Sequence, residues 1–320
     1  MNVVARSALV LTMGITIGHA AFAQEIPPVG DPPNRPVFRS TAALVSINVT
    51  VQDKSAHYVA GLQPADFAIY EDGVKQEVRF FESSTVPLDL ILLIDTSSSM
   101  TDKMNAVHDA AAGFLATLRP IDRGAVVAFA DTISILQPLT SDRAALDQAV
   151  RSTVARGKTA LNTAVYVALK QFGERARTTE ALRRQAIVVL SDGADTASPI
   201  SLDDVLRVAR SSGVSVYTVS LQPSLALARN DDTDAYDRAL RTLARETGGA
   251  SFFPKAGDLK AVYRSIATDL ANQYSIGYVP ADERDDGRFR RIVVQVLTGG
   301  ALRSRTRLGY TTDAISPAGR

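Results

Sequence analysis

The sequence predicts an α/β fold: an open, mainly parallel sheet with helices on both faces, flanked by an antiparallel β domain contributed in two pieces. Three observations carry this. From Pro87 to about Leu270, short apolar runs that do not alternate lie between helical stripes, as strands buried on both faces do. On either side of that block the apolar residues recur with period two, the mark of half-buried antiparallel strands. Each outer stretch is too small to bury a core alone, so the two are expected to pair; the alternative is that either half extends the α/β sheet.

Residues 1–23 read as a secretory signal peptide. Arg6 supplies the positive start, Ala8 to Gly18 the apolar run, and Ala21-Phe22-Ala23 the small-x-small cleavage pattern. That run is short for a membrane span, which needs about 20 residues. Residues 24–36 hold five prolines and read as an extended linker. The β domain is expected over 37–84 plus 272–310. Its first part alternates at Val45, Ile47, Val49 and Val51, and Asp72-Gly73 marks a hairpin turn. Ile292, Val294 and Val296 share a face in the second part, and Arg303, Arg305 and Arg307 alternate as a solvated strand face.

The α/β domain is expected over 85–271. Its strands are Leu88–Ile94, Ala125–Ala130, Ala186–Leu190 and Val214–Val219, with Thr132–Leu139 returning as an edge strand that tolerates Pro138. Met104, Val107, Ala111, Phe114 and Leu118 form one helical stripe, and Leu259, Val262, Tyr263, Ile266 and Leu270 another. Gly248-Gly249 ends a helix. Residues 311–320 carry no pattern and read as a tail.

Composition removes most chemistry. The 320 residues contain no cysteine, which excludes disulfides, zinc–thiolate sites and cysteine nucleophiles. Three histidines, His19, His57 and His108, leave little for a histidine-based metal or hydrolase site; the last two read as surface residues without partners. The net charge of +1 offers no basic field for nucleic acid. Loss of the signal would remove Arg6 and balance the charges. Oxygen chemistry from Asp, Ser and Thr remains.

The first buried strand runs out as Ile94-Asp95-Thr96-Ser97-Ser98-Ser99 just before a helix. Residues i, i+2 and i+4 leaving a strand can converge, and the helix start adds unpaired N–H groups. Ser191-Asp192-Gly193 closes another strand, and Gly157-Lys158-Thr159 precedes an amphipathic helix. Asp95, Ser97, Ser99, Thr159 and Asp192 thus form a candidate hard-oxygen metal site suited to Mg²⁺, with Mn²⁺ or Ca²⁺ as alternatives. Read blandly, Asp95 and the serines would cap the helix and Asp192 would be a turn residue. A phosphate-binding loop around Gly157-Lys158-Thr159 is disfavoured: it needs glycine at 152, where Ser152 stands, and a preceding strand, where Leu146–Val154 reads as helix.

These motifs, in this strand order, resemble a von Willebrand factor type A domain with a complete metal-ion-dependent adhesion site (MIDAS), and with it a Rossmann-like sheet. The stretch from Leu118 to Phe129 is also typical of that domain. The wider chain, from about Val45 to Tyr310, is similar to a bacterial VWFA-related family often seen in Acidobacteria, through Asp66-Phe67, Glu71-Asp72-Gly73, Gln76, Glu246-Thr247-Gly248-Gly249, Gln273-Tyr274 and Gly277-Tyr278. The resemblance implies a metal-assisted protein-binding module. One departure stands out: the family's Gly-Gly-Thr reads Gly157-Lys158-Thr159 here, which sets a cation beside the site.

The function expected is therefore binding. An exported, periplasmic or extracellular protein would hold a divalent metal and complete its coordination with an Asp or Glu carboxylate from a protein partner, with no nucleic acid and no membrane span after signal removal. Catalytic residues and organic cofactors are not assigned. The rivals are a metal-assisted hydrolase or phosphatase, for which no general base has its own sequence context, and a structural envelope module with an empty site.

Overall fold

The computed structural model describes residues 44–83, 85–176, 182–221, 231–282, 284 and 286–312. The signal, the linker and most of the tail lie outside the described residues. The chain opens with β1 (Val45–Gln52), β2 (Phe67–Glu71), β3 (Val74–Gln76) and β4 (Val78–Ser83). The α/β block follows: β5 (Leu88–Asp95), α1 (Met104–Ala116), β6 (Arg123–Phe129), β7 (Ile133–Thr140), α2 (Arg143–Arg151), α3 (Leu161–Ala176) and β8 (Arg184–Ser191). It continues with α4 (Leu202–Ser212), β9 (Ser215–Ser220), α5 (Asp231–Thr247), β10 (Ser251–Phe252) and α6 (Leu259–Ala271). The last strands are β11 (Gln273–Tyr278), β12 (Phe289–Val296), β13 (Arg303–Arg305) and β14 (Gly309–Thr311).

Six strands form one sheet in the order β10-β9-β8-β5-β6-β7, parallel except for the edge strand β7. β5 is central, and all eight of its residues are buried. Its alternate side chains serve opposite faces. Leu88, Leu90, Leu92 and Ile94 pack with α1 and α6 through Val107, Phe114, Tyr263 and Ile266. Ile91 and Leu93 pack with α3, α4 and α5 through Val165, Leu169, Val205 and Leu240. From β5 the chain moves to β6 on one side and then crosses back to β8 on the other. The carboxyl ends of β5 and β8 therefore flank a switch point, where open α/β sheets place ligands.

The flanking strands form two antiparallel sheets, β13-β1-β11-β4 and β14-β12-β2-β3. Both halves of the chain contribute to each: β1 pairs with β11 at Ile47–Ile276, and β2 with β12 at Ile69–Val294. Val49, Ile69, Tyr274, Ile276 and Ile292 fill the space between them. The hairpin turn at Asp72-Gly73 has both residues in the left-handed region, at φ 47° and 85°, as the tight turn requires.

Where the α/β block meets these sheets, a buried polar cluster centres on Asp269 of α6. Thr50 donates to Asp269 Oδ1 at 3.0 Å and Tyr217 to Oδ2 at 2.7 Å, while Gln273 donates to the Tyr217 hydroxyl at 2.9 Å. Arg305 completes the cluster with an ion pair to Asp269 and a hydrogen bond to the Gly248 carbonyl. This corrects the reading of Arg303, Arg305 and Arg307 as a solvated face. Only Arg303 is exposed; Arg307 is half-buried, 5.3 Å from the Tyr310 ring centroid. A buried carboxylate draws cations inward even from an alternating strand. Replacing Thr50 with valine, which keeps the shape and removes one donor, is expected to destabilise the chain by about 1 kcal/mol in urea unfolding.

The histidines also have partners. The His57 ring stands 3.3 Å from Asp53 and that of His108 2.7 Å from the Thr153 hydroxyl, so the reading of both as unpartnered is corrected. Arg184, buried at the start of β8, donates to the Val86 carbonyl at 3.1 Å and the Leu270 carbonyl at 2.5 Å, and its amide donates to the Pro87 carbonyl at 2.8 Å. Burial pushes its pKa down to about 10. Among the described residues no helix is long and apolar enough to cross a membrane.

Candidate metal centre

β5 ends at Asp95, beside Ser191 at the end of β8, whose own register partner on β9 is Ser220. A polar row thus crosses the carboxyl edge of a sheet whose interior is aliphatic. Asp95 is fully buried and held at both oxygens: Oδ1 accepts the Ser97 amide at 2.8 Å, and Oδ2 accepts the Ser191 hydroxyl at 2.5 Å. Burial raises its pKa, and the hydrogen bonds from Ser191 and Ser97 oppose that rise. Asp95 is therefore fixed in direction before any ligand arrives, which spares later reorganisation.

Beyond Asp95 the chain turns outward. Ser97 is extended, and a 3₁₀ turn over Ser98–Lys103 leads into α1. The Ser97 and Ser99 hydroxyls are hydrogen-bonded at 3.1 Å, and Ser99 donates to Asp192 Oδ1 at 2.6 Å. Four of the five predicted residues are thereby linked, Asp95 and Ser97 through the amide, then Ser97, Ser99 and Asp192 through side chains. Ser99 is the exposed member, while Asp95, Ser97, Thr159 and Asp192 are buried. The cluster therefore opens to solvent on the Ser99 side.

Thr159 arrives on a separate loop that is tied to the first. Arg156 donates its amide to the Thr96 carbonyl at 2.6 Å, and Ser98 donates to the Gly157 carbonyl at 3.0 Å. Gly157 has φ +82°, and a Cβ there would stand 1.8 Å from Asp131 Oδ1, so the turn needs glycine. Thr159 carries no hydrogen bond to the other four. It faces the Ser191–Gly193 turn, with Oγ1 4.0 Å from the place a Cβ on Gly193 would take. Its carbonyl accepts the Thr196 and Ala197 amides at 2.9 and 3.1 Å, which binds the loop before α3 to the loop after β8.

The cation that touches the site is Lys103, not Lys158. Lys158 is exposed; its amide donates to Asp131 at 2.9 Å, and that hydrogen bond, helped by the Lys158 charge, holds the Asp131 carboxyl below its usual pKa. Lys103 instead forms an ion pair with Asp192 and donates to the Ser99 carbonyl at 3.1 Å. Sequence reading missed this contact. Its only local signal is the spacing of four from Ser99, which one turn of helix brings together. Ser191 and Tyr236 were also missed as site residues. Tyr236 of α5 covers the polar row, and burial lifts its phenol well above its ordinary pKa, with Ser191 close enough to lower it.

The donors fit a hard divalent cation. Among the described residues no group of three or more His, Cys, Asp or Glu is placed to hold a metal. A metal here would not be held by carboxylates alone; the Ser97–Ser99–Asp192 chain together with Asp95 offers hydroxyls and two carboxylates, an oxygen-only set that Mg²⁺, Mn²⁺ and Ca²⁺ accept.

The family model for the von Willebrand factor type A domain matches residues 89–265, more than half of the chain. A UPF0353 protein of Mycobacterium leprae is 28% identical over 255 residues, covering 74% of this chain and 73% of the relative. A von Willebrand factor type A structure from Catenulispora acidiphila aligns with a TM-score of 0.50 at 15% identity, over 77% of this chain and 72% of that one. Proximal thread matrix protein 1 from the mussel byssus, in a structure with a zinc-occupied MIDAS motif, aligns with a TM-score of 0.47 at 16% identity, over 62% of this chain and 49% of that one. The Catenulispora acidiphila likeness concerns the fold alone. With the matched segment running from β5 into α6, through every loop that carries the site, the chain belongs to the von Willebrand factor type A domain family.

Proposed function

We propose that this chain is an exported binding protein that holds a divalent metal at a MIDAS formed by Asp95, Ser97, Ser99, Thr159 and Asp192, and uses it to capture an acidic group on a protein partner. The observation that carries the reading is the hydroxyl chain from Ser97 through Ser99 to Asp192, buried at both ends and open to solvent at Ser99 between them. In this reading Ser97 and Ser99 ligate directly, joined by Thr159 from the facing loop. Asp95 and Asp192 supply negative charge and orient the site's hydrogen bonds. A metal held mainly by neutral hydroxyls keeps residual positive charge, which an incoming carboxylate neutralises. Mg²⁺ is the favoured ion, with Mn²⁺ or Ca²⁺ as substitutes.

The role is adhesion or protein–protein interaction, not turnover. Both described histidines are engaged elsewhere, His57 with Asp53 and His108 with Thr153, so neither is set to serve as a general base at Asp95. Export rests on the leader-like segment 1–23.

The direct test is an affinity capture from envelope extract, run in parallel with Mg²⁺ and with EDTA. A partner retained with Mg²⁺ and lost in EDTA is expected, and Ser97→Ala should lose it in both. A partner held equally in EDTA would overturn the reading.

A further inference from the structure

Resting on the metal reading of Asp192, we propose that Lys103 is a tethered competitor for that site: its ammonium and a divalent cation contest the same carboxylate, so Lys103 sets the concentration of cation that the site requires.

The side chain of Asp192 is only 1% exposed. A carboxylate that deeply buried needs hydrogen bonds and opposing charge. It receives the Ser99 hydroxyl on Oδ1 and the Lys103 ammonium on Oδ2. Lys103 is also anchored on the Ser99 backbone carbonyl, so two of its three ammonium donors are engaged, one of them on the site's own carboxylate. A dication bound by Ser99 and influenced by Asp192 would lie within a few ångströms of that ammonium. Like charges at such range repel strongly, and here they would share one buried carboxylate. The two occupants are therefore mutually exclusive.

Lysine suits the part. Its charge rides on a flexible four-carbon stem, and its side chain is 24% exposed, so it can swing to water without moving the backbone. The cost to metal binding follows from populations: if the pair is closed nine-tenths of the time, apparent affinity falls roughly tenfold. A monovalent cation, with half the charge to offer, gains too little to displace it, so the device also favours dications. The released ammonium then stands at the rim, on the side where Ser99 opens to solvent.

Calorimetric titration of the full chain with Mn²⁺ tests this, with Lys103→Met and Lys103→Arg alongside. Lys103→Met is expected to bind about tenfold more tightly than the parent, and Lys103→Arg no more tightly. Equal or weaker binding by Lys103→Met overturns the competition and leaves the metal reading standing. Absence of Mn²⁺ binding in the parent and in Lys103→Met overturns both. Should Lys103→Met fail to fold, the parent itself answers. With its lysines ¹³C-methylated, the Lys103 resonance should move toward the solvent-exposed position as Mg²⁺ is added. A resonance that stays in place while Mg²⁺ binds overturns the proposal.

Discussion

Replacing Asp95 with alanine is expected to weaken Mn²⁺ binding roughly a hundredfold, the upper end of what loss of a metal-supporting group costs, while the chain stays folded. Asp95 is the pivot of the site because it joins two loops. One oxygen holds the Ser97 amide and the other the Ser191 hydroxyl. Alanine removes a negative charge from a cluster that has only two carboxylates, and frees the Ser97 backbone that aims the first hydroxyl. The fold is expected to tolerate the change, because removing a carboxylate that burial has already made costly to ionise relieves part of that cost. Mn²⁺ titration with a urea unfolding curve on the same sample separates the two effects. An affinity within threefold of the parent would show that the metal sits elsewhere.

The largest effect on stability is expected from Gly249→Ala, about 3 kcal/mol or more, read as a lowered urea midpoint. Gly248 closes α5 in the left-handed region at φ +78°, and Gly249 then passes so close to β9 that a Cβ would stand 1.9 Å from the Val216 carbonyl oxygen. Backbone faces that position, so no rotamer change can relieve it. The preceding Thr247 explains why the approach is so close, since its hydroxyl accepts the Val216 amide at 3.0 Å. The run Glu246-Thr247-Gly248-Gly249 is thus a docking clasp: Glu246 also pairs with Arg210 on α4. An unfolding free energy within about 1 kcal/mol of the parent would mean that β9 and the clasp can part without loss.

Much of this architecture was legible because it follows from local pattern. Unalternating runs located β5, β6, β8 and β9, since strands covered on both faces have no polar side to show. Pro138 identified the edge strand β7, because an edge can spare an amide. Asp95, Ser97 and Ser99 could be read together because their spacing is that of a chain leaving a strand. What escaped was contact across long separations. Lys103 and Asp192 are 89 residues apart, and nothing near either announces the other. Arg305 looked like a surface residue because its partner, Asp269, lies on a helix whose apolar stripe gave no reason to notice a buried acid. Lys158 showed the opposite failure: adjacent to Thr159 in sequence, its side chain is exposed, and it is its backbone amide that bonds Asp131, which a reading along the chain could not weigh.

Arg184 has a mechanical meaning. The chain enters the α/β block at Pro87 and leaves it after Leu270, and this one residue is bonded to both. The candidate site lies at the other end of β5, about 23 Å away at the usual rise per residue. A pull on anything gripped there would travel down β5 as tension and reach two covalent crossings held side by side. Both crossings would share the load, with Arg184 as the stitch between them, so the block would be tugged as a whole instead of being peeled from one end.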